Sequence, residues 1–295
     1  MKINFERFKA SDGTELQGWF SDVSGDAVVI HVHGMSGNGY ENFFLDTLRE
    51  TCINSKVSFF SFDNRGRGII SWFRSGDEVD AWGEGEKKAG SCFELFEESA
   101  FDIQGAIDCM RSKGKSKFIL QGHSLGSTKV VNYLLNNITD DILGALLLAP
   151  TDMVGWAKTD THNQEYLDKA HRLIKQGKPE ELVGTSCWLD NTPLSAQTYP
   201  TICESNTPVD IFSLRKNGAL IGKVAVPMVI IYGDKDIGIE KIDGNINTWK
   251  NRALKVINSK TKIEIIPGAD HAFVGHEDKL AKISDNHVRL FLARQ

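Results

Sequence analysis

A chain of 295 residues with 41% hydrophobic content can bury a sizeable core, and one α/β domain carrying an insertion suits that length better than two independent domains. A formal charge of −5 argues against nucleic acid as a partner, since Lys113, Lys115 and Lys117 form the only local basic cluster and a solvated turn explains it. Five cysteines, at 52, 92, 109, 187 and 203, lack Cys-x-x-Cys spacing and read as free thiols, not as a disulfide framework or a zinc site.

Met1-Lys-Ile-Asn-Phe-Glu-Arg7 has no apolar run followed by a cleavage site, and no stretch approaches membrane-spanning length. A soluble, cytoplasmic chain with no membrane partner is expected. Residues 3–10 and 15–20 alternate apolar and polar positions around Asp12-Gly13, which predicts an amino-terminal hairpin at one edge of a sheet. Ala27-Val-Val-Ile-His-Val32 is a nearly continuous apolar run that opens into His33-Gly34-Met35-Ser36-Gly37, the pattern of a buried central strand. Phe43, Phe44, Leu45, Leu48 and Ile53 recur at helical spacing, Val57–Phe62 supplies the next strand, and Asp63-Asn-Arg-Gly-Arg-Gly68 turns the chain out of it. Strand, helix, strand implies a right-handed crossover and a parallel sheet.

Residues 69–97 set Trp72, Phe73, Trp82, Phe93 and Phe96 among glycines and acids, and are expected to form a loop passing beside the active site. Phe101–Met110 supplies a helix, Lys117-Phe-Ile-Leu-Gln121 a buried strand, residues 125–136 a helix, and Ile142–Ala149 another buried strand. The alternation stops at Pro150 and resumes at Pro227-Met-Val-Ile-Ile-Tyr-Gly233. A helix around 245–258, a strand at Lys262–Ile266 and a helix over 277–293 complete it.

The interruption, 151–226, holds four of the seven prolines and is read as a cap inserted into a core formed by 1–150 and 227–295. Its best helix spans 162–176: Thr161 and Gln164 stand as a capping box, Leu167, Ala170 and Ile174 share a face, and Gly177 followed by Pro179 stops it. The cap carries Trp156, Tyr166, Trp188 and Tyr199, more aromatic surface than so short a segment needs for its own core. Trp156 and Trp188 are the candidate substrate-binding residues, the alternative being that these rings pin the cap to the sheet.

Gly122-His123-Ser124-Leu125-Gly126 lies between a strand and a helix. There Gly-x-Ser-x-Gly makes a turn so tight that the serine is strained and the flanking glycines keep neighbours from colliding. A serine hydroxyl is a poor nucleophile without a base, and the base needs a carboxylate to orient it. Pro267-Gly-Ala-Asp-His271 follows the last strand directly and so brings His271 to the carboxyl edge that holds Ser124, whereas His276 abuts the final helix. Tyr232-Gly-Asp234-Lys-Asp236 offers two acids. Asp236, three residues beyond Gly233, has cleared the strand and is favoured, while Asp234 can bind backbone amides of its own turn. An oxyanion would need two preset donors, and the amides of Leu125, at a helix start, and Met35 are the candidates. His31 and His33 could suggest a metal pair, but no third ligand has suitable spacing, and His33 is read as holding its loop.

With these residues assembled, the chain resembles the α/β-hydrolase superfamily along nearly its whole length. The carriers are His33-Gly34, Asp63-x-Arg65-Gly66-x-Gly68, Gly122-His-Ser-Leu-Gly126, Gly233-x-x-Asp236 and Gly268-Ala-Asp-His271, with serine, aspartate and histidine in that superfamily's order. The resemblance implies an eight-stranded, mostly parallel sheet, a serine hydrolase mechanism and a substrate-covering cap. The function expected is hydrolysis of a small-molecule carboxylic ester through an acyl-enzyme, with no cofactor or metal. Amide, thioester and carbon–carbon hydrolysis use the same groups, and a non-catalytic ligand-binding member of the fold is the alternative from another class. No Gly-x-Gly-x-x-Gly follows the first parallel strand, which argues against a Rossmann nucleotide site.

Overall fold

The structure, a computed structural model, describes residues 2–75, 85–137, 139–185, 192–214 and 216–294. The chain opens with an antiparallel hairpin, β1 (Asn4–Lys9) and β2 (Glu15–Ser21). Then come β3 (Ala27–Val32), α1 (Phe44–Asn54), β4 (Ser58–Asp63), a short hairpin of β5 (Ser71–Arg74) and β6 (Glu86–Ala89), and α2 (Ser99–Ser112). β7 (Lys117–His123), α3 (Leu125–Asn136) and β8 (Ile142–Leu148) follow. Beyond β8 lie α4 (Met153–Ala157), α5 (Asn163–Lys175), β9 (Leu182–Thr185), β10 (Pro193–Ser195) and α6 (Thr198–Cys203). The chain finishes with β11 (Met228–Gly233), α7 (Ile237–Asp243), α8 (Ile246–Ala253), β12 (Thr261–Ile266) and α9 (Glu277–Leu292).

Eight strands form one sheet in the order β1-β2-β4-β3-β7-β8-β11-β12. The β1–β2 and β2–β4 pairs are antiparallel and every other pair in the sheet is parallel. Every residue of β3, β4 and β11 is buried, which is why β3 and β11 read as nearly continuous apolar runs and not as alternations. Helix α1 packs against α9, and α2 against α3. Chain order runs from β3 outward to β4 and then back across to β7 on the other side. The carboxyl ends of β3 and β7 therefore flank a topological switch point, where α/β sheets open a crevice.

Several expectations are corrected. Helix α5 starts at Asn163 with no side-chain cap, so Thr161 and Gln164 form no capping box. The Asp160 carboxylate, a stronger acceptor than a hydroxyl, takes the His162 amide at 2.9 Å, and Gln164 turns to Asp168. The buried face of α5 is Leu167, Ala170 and Leu173, with Ile174 42% exposed. Helix α7, to which the sequence reading assigned no element, starts directly after Asp236, which caps it. The described part of 69–97 contains the β5–β6 hairpin. Phe73, Phe93 and Phe96 are buried, and Trp72 borders a polar cleft with Arg7, Arg67 and Arg74. None of these residues lines the cavity at Ser124, and Trp82 lies outside the described residues. Cys52, Cys92 and Cys109 are free thiols, and Cys187 lies outside the described residues. Among the described residues no helix is long and apolar enough to cross a membrane.

The turn after β4 is locked by Arg65. Its backbone N–H donates to Asp102 Oδ2 at 2.8 Å, and Nε and Nη2 donate to Asp102 Oδ1 at 3.0 and 2.7 Å. Nη1 reaches Glu98 at 2.7 Å, and Nη2 meets Asp12 at 3.0 Å. Burial alone would lower the pKa of this guanidinium, but Asp102 and the other two acids outweigh it and raise it. Removing one member of a buried pair strands the other charge, at a cost of about 3–5 kcal/mol. Arg65→Leu is therefore expected to lower unfolding free energy in urea by that amount. A loss below about 1 kcal/mol would show that the turn does not depend on the pair.

Candidate active site

Ser124 sits at φ 55°, ψ −126° between β7 and α3, a backbone conformation that side-chain-bearing residues rarely adopt. What forces it is crowding. A Cβ on Gly122 would collide with the backbone of Gly126 and Ser127, and one on Gly126 with the Val32 and His33 carbonyls. The Ser124 amide donates to Leu148 O at 2.9 Å, fixing the elbow against β8.

The serine borders a cavity of about 280 Å³. Gly34, Met35, Gly37 and Asn42, from the segment after β3, form one side. Thr151, Met153 and Trp156, which follow β8, and Ile237 form the other, and His123 and His271 complete the lining. The amide of Leu125 opens α3, and Leu125 is packed in an apolar cluster with Met153, Tyr199 and Leu167. The structure thus brings Ser124, His271, Met35 and Trp156 to one cavity, with Leu125 next to it in the chain. Tyr166 and Tyr199 instead meet edge-to-face at 5.6 Å inside the cluster after β8. Trp188 lies outside the described residues.

His271 Nδ1 is 2.7 Å from Asp236 Oδ2. The acid is 1% exposed and the imidazole 29%, so the carboxylate is shielded while the ring faces the cavity. Asp236 Oδ1 also accepts the Gly238 amide at 2.8 Å, capping α7. Burial would raise the Asp236 pKa, but the His271 hydrogen bond and charge, with the Gly238 and Ile239 amides, hold it below the usual carboxylate range. Asp234 is committed elsewhere, accepting the amide of Gly268 in the neighbouring loop at 2.7 Å and not an amide of its own turn. His276 is the N-cap residue of α9 and its Nδ1 lies 3.2 Å from Val274 O.

Two features carry no signal in the sequence. Ser124 Oγ lies 3.1 Å from Thr151 Oγ1, and among the described hydrogen bonds this is its side-chain partner; none joins it to His271. Ala149 at φ 43° and the Tyr232 hydroxyl bonding Pro150 O bend the chain after β8, which brings Thr151 back over the serine. His123 Nε2 donates to the His271 carbonyl, 2.9 Å away, and its ring packs against Phe44 with centroids 5.1 Å apart. Only a signal that His123 must serve the loop carrying His271 could have found this contact, and the two are 148 residues apart.

His31, His33 and His123 are all buried and held neutral. Burial, then the Lys129 charge, push His33 down to about 4, and burial, then the His123 and His33 rings beside it, push His31 well below its ordinary value. Burial and His271 push His123 down to about 3. His31 Nδ1 accepts from Gln121 at 2.8 Å, and His33 Nε2 accepts the Asn64 amide at 3.0 Å, so neither is aimed at a shared ligand. As pH falls below about 6.5, the unfolded chain binds protons that the native state refuses. Stability is then lost at up to about 1.4 kcal/mol per pH unit per histidine. Urea midpoints are expected to drop by several kcal/mol equivalents between pH 7 and 5. A flat profile would show that the three rings protonate in the native state.

A protein-family profile described as "Protein of unknown function (DUF1749)" matches residues 94–292. No curated protein sequence matches the chain. Solved structures share its architecture at low identity. Est1E from Butyrivibrio proteoclasticus, with ferulic acid bound, superposes with a TM-score of 0.65 at 16% identity, covering 97% of this chain and 99% of that one. The α/β hydrolase GrgF from Penicillium sp. sh18 gives 0.65 at 14% identity over 100% and 99% of the two chains. DcsB in complex with its substrate analogue gives 0.69 at 15% identity over 99% and 100%.

Proposed function

The chain belongs to the family described as DUF1749 and has the fold of the α/β hydrolases, and from that premise we propose that it is a carboxylic ester hydrolase of that superfamily working through Ser124, His271 and Asp236. The observation that carries the reading is the 2.7 Å contact between His271 Nδ1 and Asp236 Oδ2, made at a cavity that also holds a strained Ser124. With Nδ1–H donated to the carboxylate, Nε2 is left unprotonated and able to act as base.

In the resting geometry the serine hydroxyl rests on Thr151, so the cycle begins when substrate turns Ser124 Oγ toward His271 Nε2. The oxygen attacks the ester carbonyl as its proton passes to Nε2, and the imidazolium is stabilised by the ionised Asp236. The tetrahedral oxyanion is met by the amides of Leu125 and Met35, preset donors of a kind whose single loss costs about 2.7–4 kcal/mol. The imidazolium returns its proton to the leaving alcohol, and water repeats the sequence on the acyl-enzyme. Trp156, 8% exposed and facing the cavity with Met153, would flank an acyl or aryl group. The ferulic acid bound to Est1E makes a feruloyl ester a reasonable first member of a substrate panel.

Treatment with a fluorophosphonate is expected to give one adduct, located on Ser124 by mass spectrometry, while Ser124→Ala folds, is not labelled and has no esterase activity. An adduct on another residue, or an active enzyme left unlabelled, would sink the assignment.

Asp236→Asn is expected to lower kcat on the order of 10⁴-fold, the scale known for the same change in another triad enzyme, because His271 loses the acceptor that sets its tautomer. Asp234→Asn is expected to act through the Gly268 turn alone, with a much smaller kcat effect. Steady-state kinetics decide between them: a larger loss for Asp234→Asn would overturn the choice of acid.

A further inference from the structure

Behind the Met35 loop runs a chain of buried polar groups to which the triad scheme above assigns no part. Lys129 on α3 and Glu94, ahead of α2, both have fully buried side chains, and Lys129 Nζ lies 2.5 Å from Glu94 Oε2. Nζ also donates to Asn64 Oδ1 at 3.1 Å. Asn64 grips His33 twice: its backbone N–H donates to Nε2 at 3.0 Å, and its Nδ2 donates to the His33 carbonyl at 3.1 Å. His33 Nδ1 in turn lies 2.8 Å from Gly34 O.

These contacts dictate a tautomer. Nε2 accepts from Asn64, so the ring proton sits on Nδ1 and is donated to the Gly34 carbonyl. The Gly34 C=O and the Met35 N–H belong to one planar trans peptide and point in opposite directions. Fixing the carbonyl therefore aims the amide. The Gly37 amide adds a second donor to the same oxygen at 3.3 Å. The network is also packed too closely to shift, since a Cβ on Gly66 would come within 2.5 Å of Glu94 Oε2. Burial and the Lys129 charge keep His33 neutral, its pKa down at about 4, in keeping with an accepting Nε2.

We infer that Lys129, held by Glu94, is a positioning residue for the oxyanion hole, acting through Asn64 and His33 on the peptide that carries the Met35 amide. The inference rests on the hydrolase reading. It also gives the ion pair a reason to exist, because a buried pair is frequently replaceable by apolar residues without loss of stability.

The test is the double variant Lys129→Met/Glu94→Gln, which removes both charges together, alongside Asn64→Ala, which keeps the ion pair and the backbone bond to His33 Nε2 but removes the side chain through which Lys129 reaches the His33 carbonyl. Each is assayed for folding by circular dichroism and for kcat and KM on p-nitrophenyl acetate. Each is also assayed for inhibition by an aryl trifluoromethyl ketone, whose serine adduct places an oxyanion in the hole. Folded variants are expected to keep KM within about twofold and to lose up to about 10²–10³ in kcat, the range seen when one oxyanion donor is removed. The ketone inhibition constant should rise in parallel. A folded variant with wild-type kcat and wild-type ketone affinity would overturn the inference. Failure of both variants to fold would overturn it as well, by making the network a structural support. Either result would leave the hydrolase reading standing as long as wild-type activity depends on Ser124. Wild-type activity that survives Ser124→Ala would remove the hydrolase reading, and this inference with it.

Discussion

The constraint on which the structure depends is the absence of space at the elbow. Gly126 sits so near the Val32 and His33 carbonyls that α3 must start against the carboxyl end of β3, and Ser124 takes its φ of 55° as the consequence. The same closeness puts the start of the Met35 loop beside the serine, where a Cβ on Gly34 would come within 2.8 Å of Ser124 Cβ. A strained serine and the loop over it are thus two results of one packing contact. The strain persists because β3, β7 and β8 hold it from both sides through parallel ladders and through the Ser124 amide bond to Leu148.

Around this contact, buried and half-buried ion pairs hold three of the segments that leave the sheet. Arg65 ties the turn after β4 to α2. Lys129 ties the segment before α2 to α3. Arg252 bridges Asp152, just beyond β8, to Asp243 at the end of α7, with each contact at 2.8 Å. Coulomb attraction in such pairs is largely offset by the cost of taking both charges out of water. What distinguishes them here is location: each holds a segment that has left the sheet, where backbone must be kept in place without regular ladders.

The part of the fold legible in the sequence is the part set by local physics. Burial on both faces makes β3, β7 and β8 nearly continuous apolar runs, and glycine spacing around Ser124 reports a turn that admits no other residue nearby. Asp236 was separable from Asp234 by chain reach, since three residues past β11 suffice to turn toward the loop that carries His271. Where local rules misled, a competitor stood within a few residues. Asp160 displaced Thr161 as acceptor at the start of α5. Leu173 took the buried position that periodicity assigned equally well to Ile174.

The sequence by itself determined the elbow, the order of the core strands with their flanking helices α1, α2, α3, α8 and α9, and which side chains lie within reach of that elbow, because those follow from periodicity, chain reach and steric limits acting over a few residues. Tertiary structure alone decided which partner each group meets. Thr151, 27 residues beyond Ser124, lies against its hydroxyl, and His123 supports the loop of His271 from 148 residues away. Lys129 pairs with a glutamate that precedes it by 35 residues. These contacts exist because parallel strands distant in the chain end at one edge of the sheet, a convergence that no local pattern encodes.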